Sequence, residues 1–204
     1  MSVKLSVLIP SIEKRKAQFN GLLRTLNNQI KKHKLEKDVE ILTLVDKGQD
    51  SPTYVSIGEK CNKLMSQAKG QYVCFLGDDD KVAPSYLADI VKVTRDPYGK
   101  NKKKHDCITF KCKKTTNGEK PIVQYFGVEN KHYVNMEKGE LRPPSMITPI
   151  RRELALKIKF DERPKEKDRG IGQTWAMAMI NAQLLKSSFH IDKILYYFRL
   201  NTKK

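Results

Sequence analysis

No apolar run in the 204 residues approaches the roughly 20 that a membrane-spanning helix needs. The opening "MSVKLSVLIPS" has the start of a secretory leader, but its apolar part is too short and Glu13 follows at once. A soluble, cytoplasmic protein is therefore expected. Cys61, Cys74, Cys107 and Cys112 form no Cys-x-x-Cys pair, and no histidine lies at zinc-finger spacing from them. Reduced, structural thiols are expected rather than a metal centre. The turn "IPSIEKR" lacks the glycines of a dinucleotide-binding turn, and the chain has no GxxxxGK[ST], so nicotinamide and P-loop chemistry are set aside. Four scattered histidines give no Ser-His-Asp or Cys-His constellation. His33 and His105 sit within lysine runs, and His132 and His190 receive no role.

Acidic residues are also short. Forty Lys and Arg face 23 Asp and Glu, for a net charge of +17. One reading is a polyanionic partner, nucleic acid or an anionic membrane surface. The other is solubility, toward which the preponderance of lysine over arginine points.

What the chain does have is alternation. At 39% hydrophobic it can build a core, and its length suits one domain. "KLSVLIPS" (4–11) reads as a buried strand. Phe19, Leu22, Leu23, Leu26 and Ile30 then form one helical stripe, closed by "KKHK". "VEILTLVD" (39–46) is a second strand. Ser56-x-x-Glu59 opens a helix as a capping box, and Gly70 ends it. "QYVCFL" (71–76) is a third strand, and Pro84 suits the first turn of a helix carrying Leu87, Ile90 and Val91. This β-α-β-α-β-α order predicts a mostly parallel sheet with helices on its faces, an α/β fold. Asp46 and the run Asp78-Asp79-Asp80 both follow strands, so both belong to the carboxyl edge, where open sheets bind ligands.

The second half changes character. A hairpin is predicted around Asn117-Gly118. A helix is predicted from Pro149, another over 173–186, and a closing strand in "HIDKILYYFRL". The two halves could share one continuous sheet. No internal repeat is visible.

Three adjacent carboxylates repel unless something positive sits nearby. Oxygen ligands suit a hard divalent cation, Mg2+ or Mn2+, which is often held by one or two carboxylates plus substrate phosphates. The plainer alternative is an acidic turn that caps the helix after Pro84.

The setting of the triplet bears on that choice. "AKGQYVCFLGDDDKVAPSYL" resembles the central motif of family-2 type glycosyltransferases with the GT-A fold. In that family an Ala-x-Gly, an apolar strand and an Asp-x-Asp precede a Pro-x-x-Leu helix. "SVLIPS" with Arg15, the strand ending at Asp46, the Gly-x-Lys-x-Asn helix, "LRPPSMITPIRRELALKIKFDE" and "ILYYFRLNTKK" come in the family's order. Gly77 stands where many members have their first acid. The resemblance covers nearly the whole chain. It implies a GT-A domain over 1–204, with a nucleotide-sugar half at 1–95 and an acceptor half at 96–204.

The resemblance further implies a nucleotide-sugar donor, most often a UDP-sugar, a divalent metal, and usually inversion at the anomeric carbon. Pro10, Ser11 and Arg15 would line the nucleotide pocket. Asp46 would meet the base, and Lys60 and Asn62 would help hold the nucleotide, although Lys60 also reads as a solvated helix lysine. Asp78 would approach the ribose and, with Asp79 and Asp80, serve the metal. Many members carry Gly-Glu-Asp-Trp before the late helix, and its Asp is the general base. This chain has Gly172-Gln173-Thr174-Trp175. The nearest acids are the Asp161-Glu162 pair and Asp168, of which Asp168 is the favoured base. Trp175 reads as an acceptor platform or as core.

The basic stretches 99–104, 111–114 and 151–159, with Arg151 and Arg152, all come after the triplet. They are expected to face the acceptor and to contact phosphates. Virus-encoded members glycosylate hydroxymethylated bases in DNA, and the chain is compatible with that role, which would place it in a host cytoplasm. Surface polysaccharide or lipopolysaccharide is the alternative acceptor, and a non-catalytic nucleic-acid-binding module is a further reading.

Overall fold

Strand β1 (Leu5–Ile12) is the pivot of the molecule. A computed structural model describes residues 3–48, 51–95, 104–130, 132, 134–137, 139–162 and 170–200. In it β1 is buried along almost its whole length, as an apolar run in a parallel sheet must be. On one side it pairs in parallel with β2 (Val39–Asp46), Leu5 opposite Val39 through Ile12 opposite Asp46. On the other it pairs in parallel with β3 (Tyr72–Phe75), Leu5 opposite Tyr72.

Alternation along β1 sorts the core into two layers. Leu5, Val7 and Ile9 meet Phe19, Leu22 and Leu26 of helix α1 (Lys16–His33) and Leu87, Ile90 and Val91 of α3 (Tyr86–Arg95). Leu8, with Val73 and Phe75, meets Cys61, Leu64 and Met65 of α2 (Ile57–Gln67). Gln29 ties α1 to α3. Its Nε2 donates to the Ala83 carbonyl and its Oε1 accepts from the Leu87 N–H, which satisfies a donor in the first turn of α3. Ser56 caps α2 as expected, accepting from the Glu59 N–H at 3.1 Å.

The second half continues the same sheet. The short strand β4 (Lys81–Val82) comes directly after the three aspartates. β5 (Cys107–Thr116) and β6 (Glu119–Phe126) form the expected hairpin. Asn117 and Gly118 both take positive φ, 53° and 88°, as a type I′ turn demands. β7 (Val134–Met136) and β8 (Gly139–Arg142) extend the sheet beyond β6. β9 (Ile150–Arg151) joins the halves, antiparallel to both β3 and β5. β10 (Ser188–Leu200) runs parallel to β5, and its Tyr196 and Tyr197 pair with β4.

Two expectations shift. The helix expected from Pro149 is preceded by β9, so α4 covers only Arg152–Ala155. The late helix, α5, spans Ile171–Asn181 rather than running to Lys186. Gln183 takes a φ of 55° and the Leu184 N–H turns back to the Met179 carbonyl, which ends it. The apolar pattern runs on because Leu185 is buried in the same core layer. The two-residue β4 is too short to leave a period. The four cysteines are buried thiols outside any disulfide. Among the described residues no helix is long and apolar enough to cross a membrane.

Candidate active site

The carboxyl ends of β1 and β3 lie side by side, so the turn leaving β1 meets the turn leaving β3. The charge that offsets the triplet comes from there. Arg15 sits in a 3-10 turn just after β1. Its Nη1 lies 2.9 Å from Asp78 Oδ1 and 3.6 Å from Asp79 Oδ2. Ser11 Oγ donates to Asp78 Oδ2 at 2.7 Å. Asp78 is buried with both oxygens engaged, while Asp79 is 41% exposed. Asp78 therefore anchors the turn to β1.

Asp80 has a different partner. The Tyr196 hydroxyl donates to Asp80 Oδ2 at 2.5 Å and accepts from the Gly77 N–H at 3.1 Å. A Cβ at Gly77 would lie 2.4 Å from Asp80 Oδ2, so an acid cannot stand at position 77 with Asp80 so placed. Burial pushes the Asp80 carboxyl up to about 7, with the Tyr196 bond opposing and Asp79 adding to the rise. Nothing in the sequence ties Tyr196 to residue 80. Only the pairing of β10 with β4 brings them together.

The Gly58-x-Lys60-x-Asn62 helix does three separate jobs. At Gly58 a Cβ would fall 1.8 Å from the Asp161 carbonyl oxygen, so the bare backbone is what lets that segment approach. Lys60 is 3% exposed, which overturns the solvated reading. Its Nζ donates to Asp46 Oδ1 at 2.5 Å and to the Ser11 carbonyl at 3.1 Å. Asp46 also accepts from the N–H groups of Val55 and Gly48. Burial alone would raise the Asp46 pKa, but Lys60 and these N–H groups outweigh it and hold the carboxyl below its usual value. Asn62 Nδ2 donates to the Phe160 carbonyl, and its Oδ1 accepts from the Phe160 N–H. Asp46, Lys60 and Asn62 are thus occupied with protein partners.

A cavity of about 470 Å³ opens at this edge, lined by Pro10, Arg15, Gly77, Asp78, Asp80 and Tyr196. Lys114, Gln124 and Arg142 form its far side. Lys114 belongs to the basic stretch 111–114 expected to face the acceptor, whereas sequence reasoning missed Gln124 and Arg142. The cue was the two-residue spacing along β5, β6 and β8, which sends alternate side chains to one face. Gly172 and Gln173 lie at the rim, where the resemblance would put a base. Asp168 and the basic residues 99–103 lie outside the described residues.

Two acceptor-side expectations are corrected. Trp175 is buried, stacked on Phe160 at 4.5 Å, and donates from Nε1 to the Ile158 carbonyl at 2.7 Å. It is a core residue. Arg151 pairs with Tyr72, the first residue of β3, and so lies at the amino edge of the sheet, away from the aspartates. It is bound to Asp106 and Glu153, and Arg152 Nε donates to the Gly70 carbonyl. The antiparallel insertion of β9 carries both arginines to the wrong edge for the cavity.

Among the described residues no group of three His, Cys, Asp or Glu is arranged to hold a metal. Of the triplet, Asp79 is exposed and Asp80 half-buried, which leaves these two the more accessible donors. A raised pKa at Asp80, with no ion pair to it among the described residues, fits a cation that would favour its ionised form. Two carboxylates are also the share of ligands that Mg2+ takes when phosphates supply the rest.

This central sheet with its flanking helices has the GT-A fold. Solved structures share it. TarS 1-349 of S. aureus superposes with a TM-score of 0.62 at 18% identity, over 97% of this chain and 60% of that one. Its complex with UDP-GlcNAc gives 0.60 at 18%, over 99% and 60%. Its complex with UDP gives 0.61 at 18%, over 97% and 61%. This chain thus spans about three fifths of these TarS 1-349 chains. No protein-family model and no curated protein matches it.

Proposed function

We propose that the protein is a glycosyltransferase that moves a sugar from a nucleoside-diphosphate donor, a UDP-sugar, to a hydroxyl acceptor. The observation that carries this reading is the fixed acidic turn. Arg15 and Ser11 hold Asp78, Tyr196 holds Asp80, and both aspartates line one cavity at the carboxyl edge of a parallel sheet. That TarS of this fold was crystallised with UDP-GlcNAc and with UDP supports the choice of donor.

In the proposed reaction the acceptor oxygen bonds to the anomeric carbon as the bond from that carbon to the diphosphate breaks. The electron pair leaves with UDP, and a base takes the hydroxyl proton. Inversion is the outcome of a single displacement. Asp79 and Asp80 would hold the divalent cation, Mn2+ or Mg2+, which when bound stabilises charge on the departing diphosphate. Asp78 with Arg15 keeps the turn in place. The base is proposed to be Asp168. Asp168 comes four residues before Gly172 in the sequence.

The acceptor is a hydroxyl compound. A hydroxymethylated base in DNA loses support from Arg151 and Arg152 at the amino edge, and from Lys111, which is ion-paired with Asp192. The test is UDP release from UDP-GlcNAc and UDP-glucose with Mn2+, for the parent protein and for Asp80→Asn. Metal-dependent turnover that Asp80→Asn abolishes is expected. Turnover that survives both chelator and Asp80→Asn would refute the site.

A further inference from the structure

Tyr196 and Tyr197 are neighbours in β10 and face opposite ways. Tyr196 is buried on the cavity side, with Cys112 of β5 and Gln124 of β6. Tyr197 is 39% exposed on the other side of the sheet. Register sets Tyr197 opposite Lys81 on β4 and Lys113 on β5, and Lys113 opposite Val123 on β6. Two residues along β5 and β6, Lys111 stands opposite Tyr125. Tyr125 then stands opposite Leu141 on β8, and Leu141 opposite Val134 on β7. Met136 follows two residues after Val134, on the same face. The face thus crosses six strands, from β4 to β7. Five interstrand steps make it about 24 Å wide, more than a small ligand spans.

This face is apolar, yet it joins no core. Val134 and Met136 are 48% and 41% exposed, and Val123, Tyr125 and Leu141 are half-buried. Among the described residues none of these five, nor Tyr197, belongs to either core layer. Contiguous exposed apolar side chains mark an interaction surface. Its free charge is of one sign. Lys111 is paired with Asp192. Lys81 and Lys113 are exposed and have no acid partner among the described residues. Arg199, two residues beyond Tyr197, is exposed and donates to the Asn117 carbonyl rather than to an acid. The net charge of +17 adds a long-range pull toward anions.

We propose that this face docks the protein on a membrane surface that carries acidic headgroups. Val134 and Met136 enter the boundary between headgroups and acyl chains, Tyr197 sits at headgroup level, and Lys81 and Lys113 meet the acidic groups. A nucleic acid fits the face less well. Tyr125 has Lys111 over its ring, 5.6 Å from the centroid, and Val134, Met136 and Leu141 offer a base no stacking surface. The inference goes beyond the reaction proposed for the cavity and does not depend on it. The cavity lies on the opposite side of this part of the sheet, so docking leaves it open to solvent.

The test is co-sedimentation with vesicles of phosphatidylcholine containing about one-third phosphatidylglycerol, beside vesicles of phosphatidylcholine alone. The protein is expected to bind the mixed vesicles and not the neutral ones. Lys113→Gln is expected to weaken binding about fivefold, the effect of one lysine near such a surface. Lys32→Gln, an exposed position near the end of α1, removes the same charge and is expected to change binding less than about twofold. Met136→Ser keeps the charge and is expected to weaken binding at least about threefold, with the salt dependence unchanged. All three variants alter exposed side chains and are expected to keep the urea midpoint of the parent. Equal losses in Lys113→Gln and Lys32→Gln would show attraction by net charge alone and overturn the proposal. Failure to bind the mixed vesicles, or equal binding to neutral ones, would overturn it too. A single-stranded oligonucleotide bound tightly by the parent and lost in Lys113→Gln, with no binding to vesicles, would reassign the face to nucleic acid. A dimer in sedimentation velocity that Met136→Ser dissociates would reassign it to a second copy, and either result overturns the proposal. No nucleotide enters the assay, so its failure leaves the glycosyltransferase reading untouched.

Discussion

Replacing Lys60 by Met tests whether this lysine is an internal strut or a ligand for the nucleotide. Lys60 is 3% exposed and Asp46 8%, and they meet at 2.5 Å. Breaking a buried pair from one side costs about 3–5 kcal/mol, because the remaining charge is left uncompensated. Asp46 would keep its N–H bonds from Val55 and Gly48, which places the loss near the lower end, about 3 kcal/mol. For a chain of this size that lowers Tm by about 6–12 °C. The assay is urea unfolding of Lys60→Met, Asp46→Asn and the double variant. The double variant is expected to lose about 2 kcal/mol less than the sum of the single ones, since each single change leaves the other group buried alone. UDP affinity, corrected for the fraction folded, should stay within about fivefold, since Lys60 is not among the described residues that line the cavity. A Lys60→Met protein as stable as the parent, yet tenfold weaker for UDP, would refute this reasoning.

The same geometry gives three further expected outcomes. Gly58→Ala puts a Cβ 1.8 Å from the Asp161 carbonyl and should destabilise by about 2–3 kcal/mol, while Gly21→Ala, with open space around it, should stabilise by up to about 1 kcal/mol; urea midpoints compare the two. Trp175→Ala should lose about 3–5 kcal/mol in the same assay, and Trp175→Phe much less, with the KM for acceptor unchanged in Trp175→Phe. Asp80 has a folded pKa raised to about 7, so between its unfolded value of 3.8 and about 7 the folded form binds more protons and stability falls as pH rises. In chelator, the stability of the parent relative to Asp80→Asn should therefore drop between pH 5 and pH 8, and UDP–Mn2+ affinity should rise over the same range.

The donor half was legible because its signals are local. Strand and helix periods and the Ser56 cap each lie within a few residues of what they control; α2 ends at Gln67 with Ala68 extended, ahead of the expected glycine stop. The partners of the aspartates were not. Arg15 and Asp78 are 63 residues apart, and Tyr196 and Asp80 are 116 apart, so strand order and register alone bring them together. Lys60 illustrates the same limit. Its position on the helix is readable, but its burial depends on Asp46 ending the neighbouring strand. Arg151 and Arg152 were placed on the acceptor side by their position in the chain, which carries no information about the direction of β9. Trp175 was decidable in principle. Ile171, Trp175, Ala176 and Met179 form one apolar stripe at helical spacing, and that stripe is the buried face of α5.

The most direct measurement is calorimetric titration of UDP into the protein with Mn2+, with chelator, and with Mn2+ in Asp79→Asn and Asp80→Asn variants. If the acidic turn is a nucleotide–metal site, UDP binds with Mn2+ and weakens at least tenfold under chelator and in each variant, while the variants remain folded. UDP that fails to bind the parent protein, or binds equally well without metal and without Asp79 or Asp80, would contradict the account.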